Sequence, residues 1–253
     1  MLPVALLQSF RDRILPFVVP DPFATLQPNA EYTVHTLGFD TRSLDNYYQK
    51  LAGIEQRKKI RVRGYNRITS GSPVFLEVKN NMGGVVTKER SAIPFRDLPE
   101  VLETGRVRRR STSWHDDSAG GDNLQFFFLL HARSFIPVIM STYEREPYYS
   151  RIDREVRITL DKNLRVHDNV SSASLAGASD TTGAMCQYFI VEIKTNGLIP
   201  RWLNETLGRF HVVREAISKY TICIEALRTR TGRPYPPVRG IAPRGWRSDN
   251  FFD

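Results

Sequence analysis

The chain has 253 residues with 36 Lys and Arg against 27 Asp and Glu, a net charge of +9. That length suits one large domain with a sizeable core. No apolar run approaches the roughly 20 residues of a membrane span. Two cysteines rule out a disulfide framework and fit a reducing cytoplasm, and the histidines are scattered without metal-ligand spacing.

The opening residues 2–18 carry apolar side chains at helical spacing and predict a first helix. EYTVHTLGFD (31–40) reads as a strand and TRSLDNYYQKLAG (41–53) as a short helix or loop ending at Gly53. Strands come next at about 57–66, 73–80 and 84–91, then a helix over 95–105. Residues 110–123 are rich in Ser, Asp and Gly and predict a surface loop. LQFFFLLHARSF (124–135) predicts a helix, and strands are expected at 136–146 and 154–166. The small-residue stretch 171–184 reads as a linker, and CQYFIVEIK (186–194) as the clearest late strand. Residues 200–216 predict a helix with Pro200 in its first turn, and 218–228 form a last apolar segment. The tail from Arg230 holds five Arg against two Asp and lacks a core-forming pattern. We expect one domain over 1–228 and a loose basic tail over 229–253. Strands and helices without regular βαβ alternation indicate an α+β, mainly antiparallel fold.

Alternation along the strands carries the functional signal, because residues i and i+2 share a face. Lys59, Arg61 and Arg63 oppose Ile60 and Val62. Glu77 and Lys79 oppose Leu76 and Val78. Lys88 and Arg90 share one face of the next strand, as do Tyr143 and Arg145 after it. Arg157, Thr159 and Asp161 oppose Ile158 and Leu160, and Glu192 and Lys194 oppose Val191 and Ile193. A polar sheet face can simply meet water. Six faces dominated by Arg and Lys instead fit the inner wall of a barrel whose apolar side is covered by helices. Cations on several walls suit phosphate oxygens. A carboxylate among them is either a salt-bridge partner or a ligand for a divalent metal bridging it to phosphate; Glu192 is the first candidate and Glu77 the second. By the same parity Cys186 reads as a small buried filler and Asp161 as a partner for an inner Arg. Asp40 reads as a strand end that caps the next segment. No aromatic stripe of the kind that stacks single-stranded nucleic acid is present.

In order and spacing, GFDTRSLDNYYQKLAG (38–53), RKKIRVRGY (57–65), FLEVK (75–79), VVTKER (85–90), YEREPY (143–148), REVRITLDKNL (155–164), FIVEIK (189–194), LIPRWL (198–203) and SKY (218–220) resemble the VTC-type polyphosphate polymerase domain. That domain is a branch of the CYTH-like triphosphate tunnel metalloenzymes. The resemblance implies an antiparallel eight-stranded β-barrel tunnel with helices packed outside. It implies transfer of the γ-phosphoryl of ATP onto a polyphosphate chain, with Mn²⁺ or Mg²⁺. Carried over by position, Arg61, Arg63, Lys79, Lys88, Arg145 and Arg157 are phosphate ligands, joined by parity by Arg90 and Lys194. Ser218 and Lys219 match a phosphate-contacting pair, and Glu192 the metal-binding glutamate. Arg63, Arg145 and Glu192 are the expected catalytic residues. Two departures are expected to matter. Family members usually begin with a strand bearing an Arg/Glu/Lys signature, whereas this chain opens directly in MLPVALLQSF. Two residues before Ser218, where polymerase members often carry Lys, stands Ala216, with Arg214 nearby. Alternatives are a tunnel triphosphatase and a polyphosphate- or nucleotide-binding module without turnover.

Overall fold

A computed structural model describes residues 1–82, 85–106, 124–152, 155–167, 170–177 and 181–231. The expected loop at 110–123 and the tail beyond 231 lie outside the described residues. Strand β1 (Leu2–Pro3) and helix α1 (Leu7–Ile14) lead into β2 (Val18–Pro20) and α2 (Pro22–Thr25). Then come β3 (Tyr32–Asp40), α3 (Asp45–Leu51), β4 (Arg57–Tyr65), β5 (Pro73–Met82), β6 (Val85–Pro94), α4 (Leu98–Thr104) and α5 (Leu124–Ala132). The second half holds β7 (Ile136–Ser150), β8 (Arg157–His167), β9 (Thr181–Met185), β10 (Tyr188–Lys194), α6 (Arg201–Arg209) and α7 (Lys219–Thr231).

The fold is α+β, with one antiparallel sheet whose strands run in the order β1-β10-β8-β7-β3-β4-β5-β6; β2 pairs with β7 and β9 with β8. Eight strands form the expected path. No ladder joins its two ends among the described residues, and the sheet is strongly curled. The curl is evident through space: Lys79 on β5 feels the charges of Glu192 and Lys194 on β10, near the opposite end of the strand order.

Alternation sorts the two faces. On the convex side, Ile60, Val62, Leu76 and Val78 pack with Leu98 and Val101 of α4 and Phe126 and Leu129 of α5. Ile158, Leu160 and Phe189 pack with Phe10 and Ile14 of α1 and Leu203 of α6. Removing this apolar surface from water contributes roughly 25 cal/mol per Å² and commits the charged parity to the concave side. One helix departs from the expectation that helices lie outside. Cys223, Ile224 and Leu227 of α7 pack with Val34, Tyr143 and Ile190, residues of inward parity. The helix thus fills one end of the concavity. Tyr220 of α7 lies over Gly38, where a Cβ would meet its ring at an ordinary 3.5 Å; the tight neighbour of that position is Ile139 on β7, at 2.9 Å.

Three local expectations are corrected. The opening is not a single helix over 2–18. Pro3 and Pro16 bound a shorter one, because a prolyl nitrogen cannot donate to the helical ladder, and Leu2 pairs with Phe189 instead. Residues 171–184 are not all linker: Thr181–Met185 form β9 against β8. The helix predicted over 200–216 ends at Arg209, where His211 takes a positive φ of 51° and Phe210 turns back onto Phe10 with ring centroids 5.2 Å apart.

Candidate functional site

The concave wall is built rung by rung. Across β4, β5 and β6, Arg61 lies opposite Glu77 and Glu77 opposite Arg90, while Lys59 lies opposite Lys79 and Lys79 opposite Lys88. Across β7, β8 and β10, Arg145 lies opposite Asp161 and Glu192 opposite Thr159. Strand period puts these side chains on one face, and register sets which of them fall level.

Glu77 is the hub of the first cluster. It is 1% exposed, with Arg61 at 2.7 Å, Lys88 at 2.8 Å, Arg90 at 3.5 Å and Arg63 at 3.7 Å. Burial alone would raise its pKa, but Arg63, Arg61 and Lys88 outweigh burial and bring it to about 2. Of the two readings open for Glu77, this geometry is that of the salt bridge: cations surround the carboxylate. The guanidinium of Arg90 also lies 3.6 Å from the centroid of the Phe75 ring, a cation–π contact that fixes its plane.

Asp161 and Glu192 form the second cluster. Asp161 accepts from Arg145 Nε at 2.6 Å and Nη2 at 2.8 Å, and Lys219 Nζ lies 2.6 Å away. Asp161 is held below the usual carboxylate range: burial opposes this, but Lys219 and Arg145 outweigh it. The partner anticipated for Asp161 is therefore Arg145, with Lys219 added from α7. Glu192 is more open, at 36% exposed, with Lys194 at 3.2 Å and Arg145 at 3.4 Å. Its carboxyl is lowered too, Lys194 and Arg145 outweighing burial.

The remaining expected residues lie around these clusters. Arg157 reaches Asp21 at 3.5 Å and covers the Tyr149 ring at the rim. Ser218 Oγ accepts from the backbone N–H of Thr221 at 3.3 Å and caps α7, while Lys219 covers the Tyr143 ring. Arg214 is exposed. Cys186 is exposed rather than a buried filler, because β10 starts only at Tyr188 and the cysteine sits on the bend before it. Asp40 does cap: it accepts from the backbone N–H groups of Thr41, Asn46 and Tyr47 and from the Tyr220 hydroxyl at 2.6 Å.

Cations exceed carboxylates on this wall. Buried Nε atoms of Arg63, Arg90 and Arg157, and Nη1 of Arg57, have no hydrogen-bond acceptor. Buried donors without acceptors are costly, and one carboxylate oxygen of the wall, Glu77 Oε1, likewise lacks a well-aligned donor; the imbalance lies in the number of cations. Among the described residues, no group of three or more His, Cys, Asp or Glu could hold a metal. A lone, ionised, partly open carboxylate such as Glu192 fits a divalent ion that takes most of its oxygen ligands from phosphate and water, as Mg²⁺ commonly does.

The VTC domain family model matches residues 4–228. The chain belongs to the VTC domain family. Solved structures similar to it include the PH1819 protein of Pyrococcus horikoshii OT3, at 15% identity over 86% of this chain and 93% of that one, TM-score 0.43. A candidate adenylyl cyclase from Hippeastrum, described as having a dominant triphosphatase activity, matches at 17% identity over 92% and 93%, TM-score 0.41. A candidate adenylate cyclase from Bacillus halodurans matches at 10% over 83% and 88%, TM-score 0.44. Superpositions this loose bear on neither fold nor chemistry. No curated protein matches the chain. No helix among the described residues is long and apolar enough to cross a membrane.

Proposed function

We propose that this VTC-domain protein is a polyphosphate polymerase-like phosphotransferase that moves the γ-phosphoryl of ATP onto a polyphosphate chain lying along the concave wall. The observation that carries the reading is the excess of cations over carboxylates on the concave wall, where Glu77 alone faces Arg61, Arg63, Lys88 and Arg90. Phosphoryl transfer asks mainly for positioning and charge neutralisation. The bond from the γ-phosphorus to its bridging oxygen breaks as a bond to the terminal oxygen of the chain forms, and ADP leaves. Arg61, Arg63, Arg90 and Lys88 would hold equatorial phosphate oxygens, relieved in part from Glu77. Lys79, Arg157 and Lys194 would extend that track, and Ser218 would present its hydroxyl at the start of α7. Arg145 and Lys219, set by Asp161, would hold the phosphates next to α7. Glu192 would hold a Mn²⁺ or Mg²⁺ ion, which would neutralise charge developing on the phosphates; Glu77 is engaged by Arg61 and Lys88.

The test is incubation of the full chain with ATP and Mn²⁺, with polyphosphate and ADP as readouts. Chain growth is expected. It should fall on the order of 10²–10³-fold in Arg63→Ala and Glu192→Ala, with thermal unfolding showing that both variants fold. Orthophosphate released without chains would favour a tunnel triphosphatase. Tight polyphosphate binding without turnover would leave a binding module.

A further inference from the structure

The rungs crossing β4, β5 and β6 are not alike. One places Glu77 between Arg61 and Arg90; its neighbour places three lysines in a row, Lys59, Lys79 and Lys88. Like charges directly opposite on paired strands destabilise a sheet. Lys88 escapes by reaching Glu77 at 2.8 Å. Lys59 and Lys79 have no salt bridge among the described residues.

The groups facing Lys59 from the elements around it are Arg57 on β4, Lys79 on β5, Lys50 on α3 and Asp40 on β3. The Tyr220 ring of α7 lies 5.8 Å from its ammonium. Asp40 is the one carboxylate in this set, and its oxygens already accept from three backbone N–H groups and the Tyr220 hydroxyl. Arg57 Nη1 is buried beside them without an acceptor. This corner of the wall gathers cations around no available anion, and nothing in the resemblance to the family assigns Lys59 a role.

We infer that Lys59 is a further phosphate-contacting residue and that, with Lys79, it holds the end of the bound polyanion next to α7, gaining a proton as the anion arrives. The inference rests on the polyphosphate reading above and adds a subsite and a proton to it. Burial, with Arg57 and Lys79 adding to it, lowers the Lys59 ammonium to about 8. A phosphate at this position outweighs burial and repulsion, since an opposite charge in contact favours the protonated form. Above pH 8 the free chain therefore lacks the proton that the complex holds, and binding draws it from solvent.

The test is calorimetric titration of inorganic tripolyphosphate into the full chain at about pH 9, in two buffers of different ionisation enthalpy, which counts protons exchanged on binding. With Lys79→Arg present in both, so that the amine facing residue 59 does not titrate, wild-type Lys59 should take up about one proton more than Lys59→Arg, whose guanidinium stays charged throughout; the remaining lysines contribute equally to both. Lys59→Arg should bind within a few-fold of wild type, and Lys59→Gln on the order of ten- to a hundredfold more weakly. Equal proton uptake with and without Lys59→Arg in that pair, or undiminished affinity in Lys59→Gln, overturns the inference while leaving the polyphosphate reading intact. Absence of tripolyphosphate binding by wild type overturns that reading and this inference together.

Discussion

Two buried glutamates, one on each face of the sheet, are made from the same ingredients and do different things. On the convex side, Glu146 is 2% exposed and accepts from Arg11 at 2.8 and 2.9 Å, Lys162 at 2.7 Å and the Tyr148 hydroxyl at 3.0 Å. Lys162 also meets Glu31 at 2.7 Å. Two cations thus face two carboxylates, and the network closes on itself. On the concave side Glu77 alone faces Arg61, Arg63, Lys88 and Arg90. What marks a site is therefore not buried charge but buried charge left over. A balanced network ties α1 to β7 and β8; an unbalanced one stays short of an anion until a ligand brings it.

Breaking the concave hub should have the largest effect. Glu77→Gln leaves four cations around a neutral amide, and removing one partner of a buried ion pair costs about 3–5 kcal/mol. Thermal or urea unfolding should show that loss, and tripolyphosphate should stabilise the variant more than wild type by supplying the missing anion. The acid limb sharpens the point. The folded pKa of Glu77 is depressed to about 2, so its contribution is complete above its unfolded value and is lost as pH falls from roughly 4.5 toward 2. Stability in Glu77→Gln should be flatter across that window. A variant as stable as wild type, with the same acid limb, would remove Glu77 from its place as hub.

Glu146→Gln tests the other half of the comparison. Lys162 keeps Glu31, and Arg11 keeps Gln8 and is partly open to solvent, at 24% exposed. We expect a smaller loss, about 2–3 kcal/mol. The decisive readout is binding: tripolyphosphate affinity should match wild type, because this network lies on the helix-covered face. A drop in affinity comparable to that of a concave-wall variant would show that the two faces communicate.

The comparison also shows what was legible in the sequence. Period-2 alternation in KIRVRGY and VFLEVK sent Ile60, Val62, Leu76 and Val78 outward and the charges inward, and parity needs no tertiary knowledge. It could not say which inward charges neutralise each other, since that depends on rungs set by strand register: Glu77 falls level with Arg61 and Arg90, whereas Lys79 falls level with two lysines. Parity put Lys59 on the charged face with Arg61 and Arg63 but could not single it out, because its surroundings come from α3, β3 and α7, far apart in sequence. The inward seat of α7 was hidden for a related reason. Its apolar residues match any core, and nothing in their spacing says which face of the sheet they meet.

The mildest change is Tyr148→Phe. The hydroxyl donates to Glu146, and its own pKa is raised, first by burial and then by that carboxylate. Removing it deletes one donor and no charge, and Glu146 keeps Arg11 and Lys162. A single hydrogen bond in a network that stays satisfied is worth about 1 kcal/mol, so unfolding should shift by that amount while tripolyphosphate binding does not move. If the outer network is balanced as described, Glu146→Gln and Tyr148→Phe combined should cost little more than Glu146→Gln alone, because the hydroxyl acts through the carboxylate. Full additivity of the two would mean that Tyr148 stabilises the fold by packing among Phe10, Ile158 and Phe189, and that the charges around Glu146 matter less than their count implies.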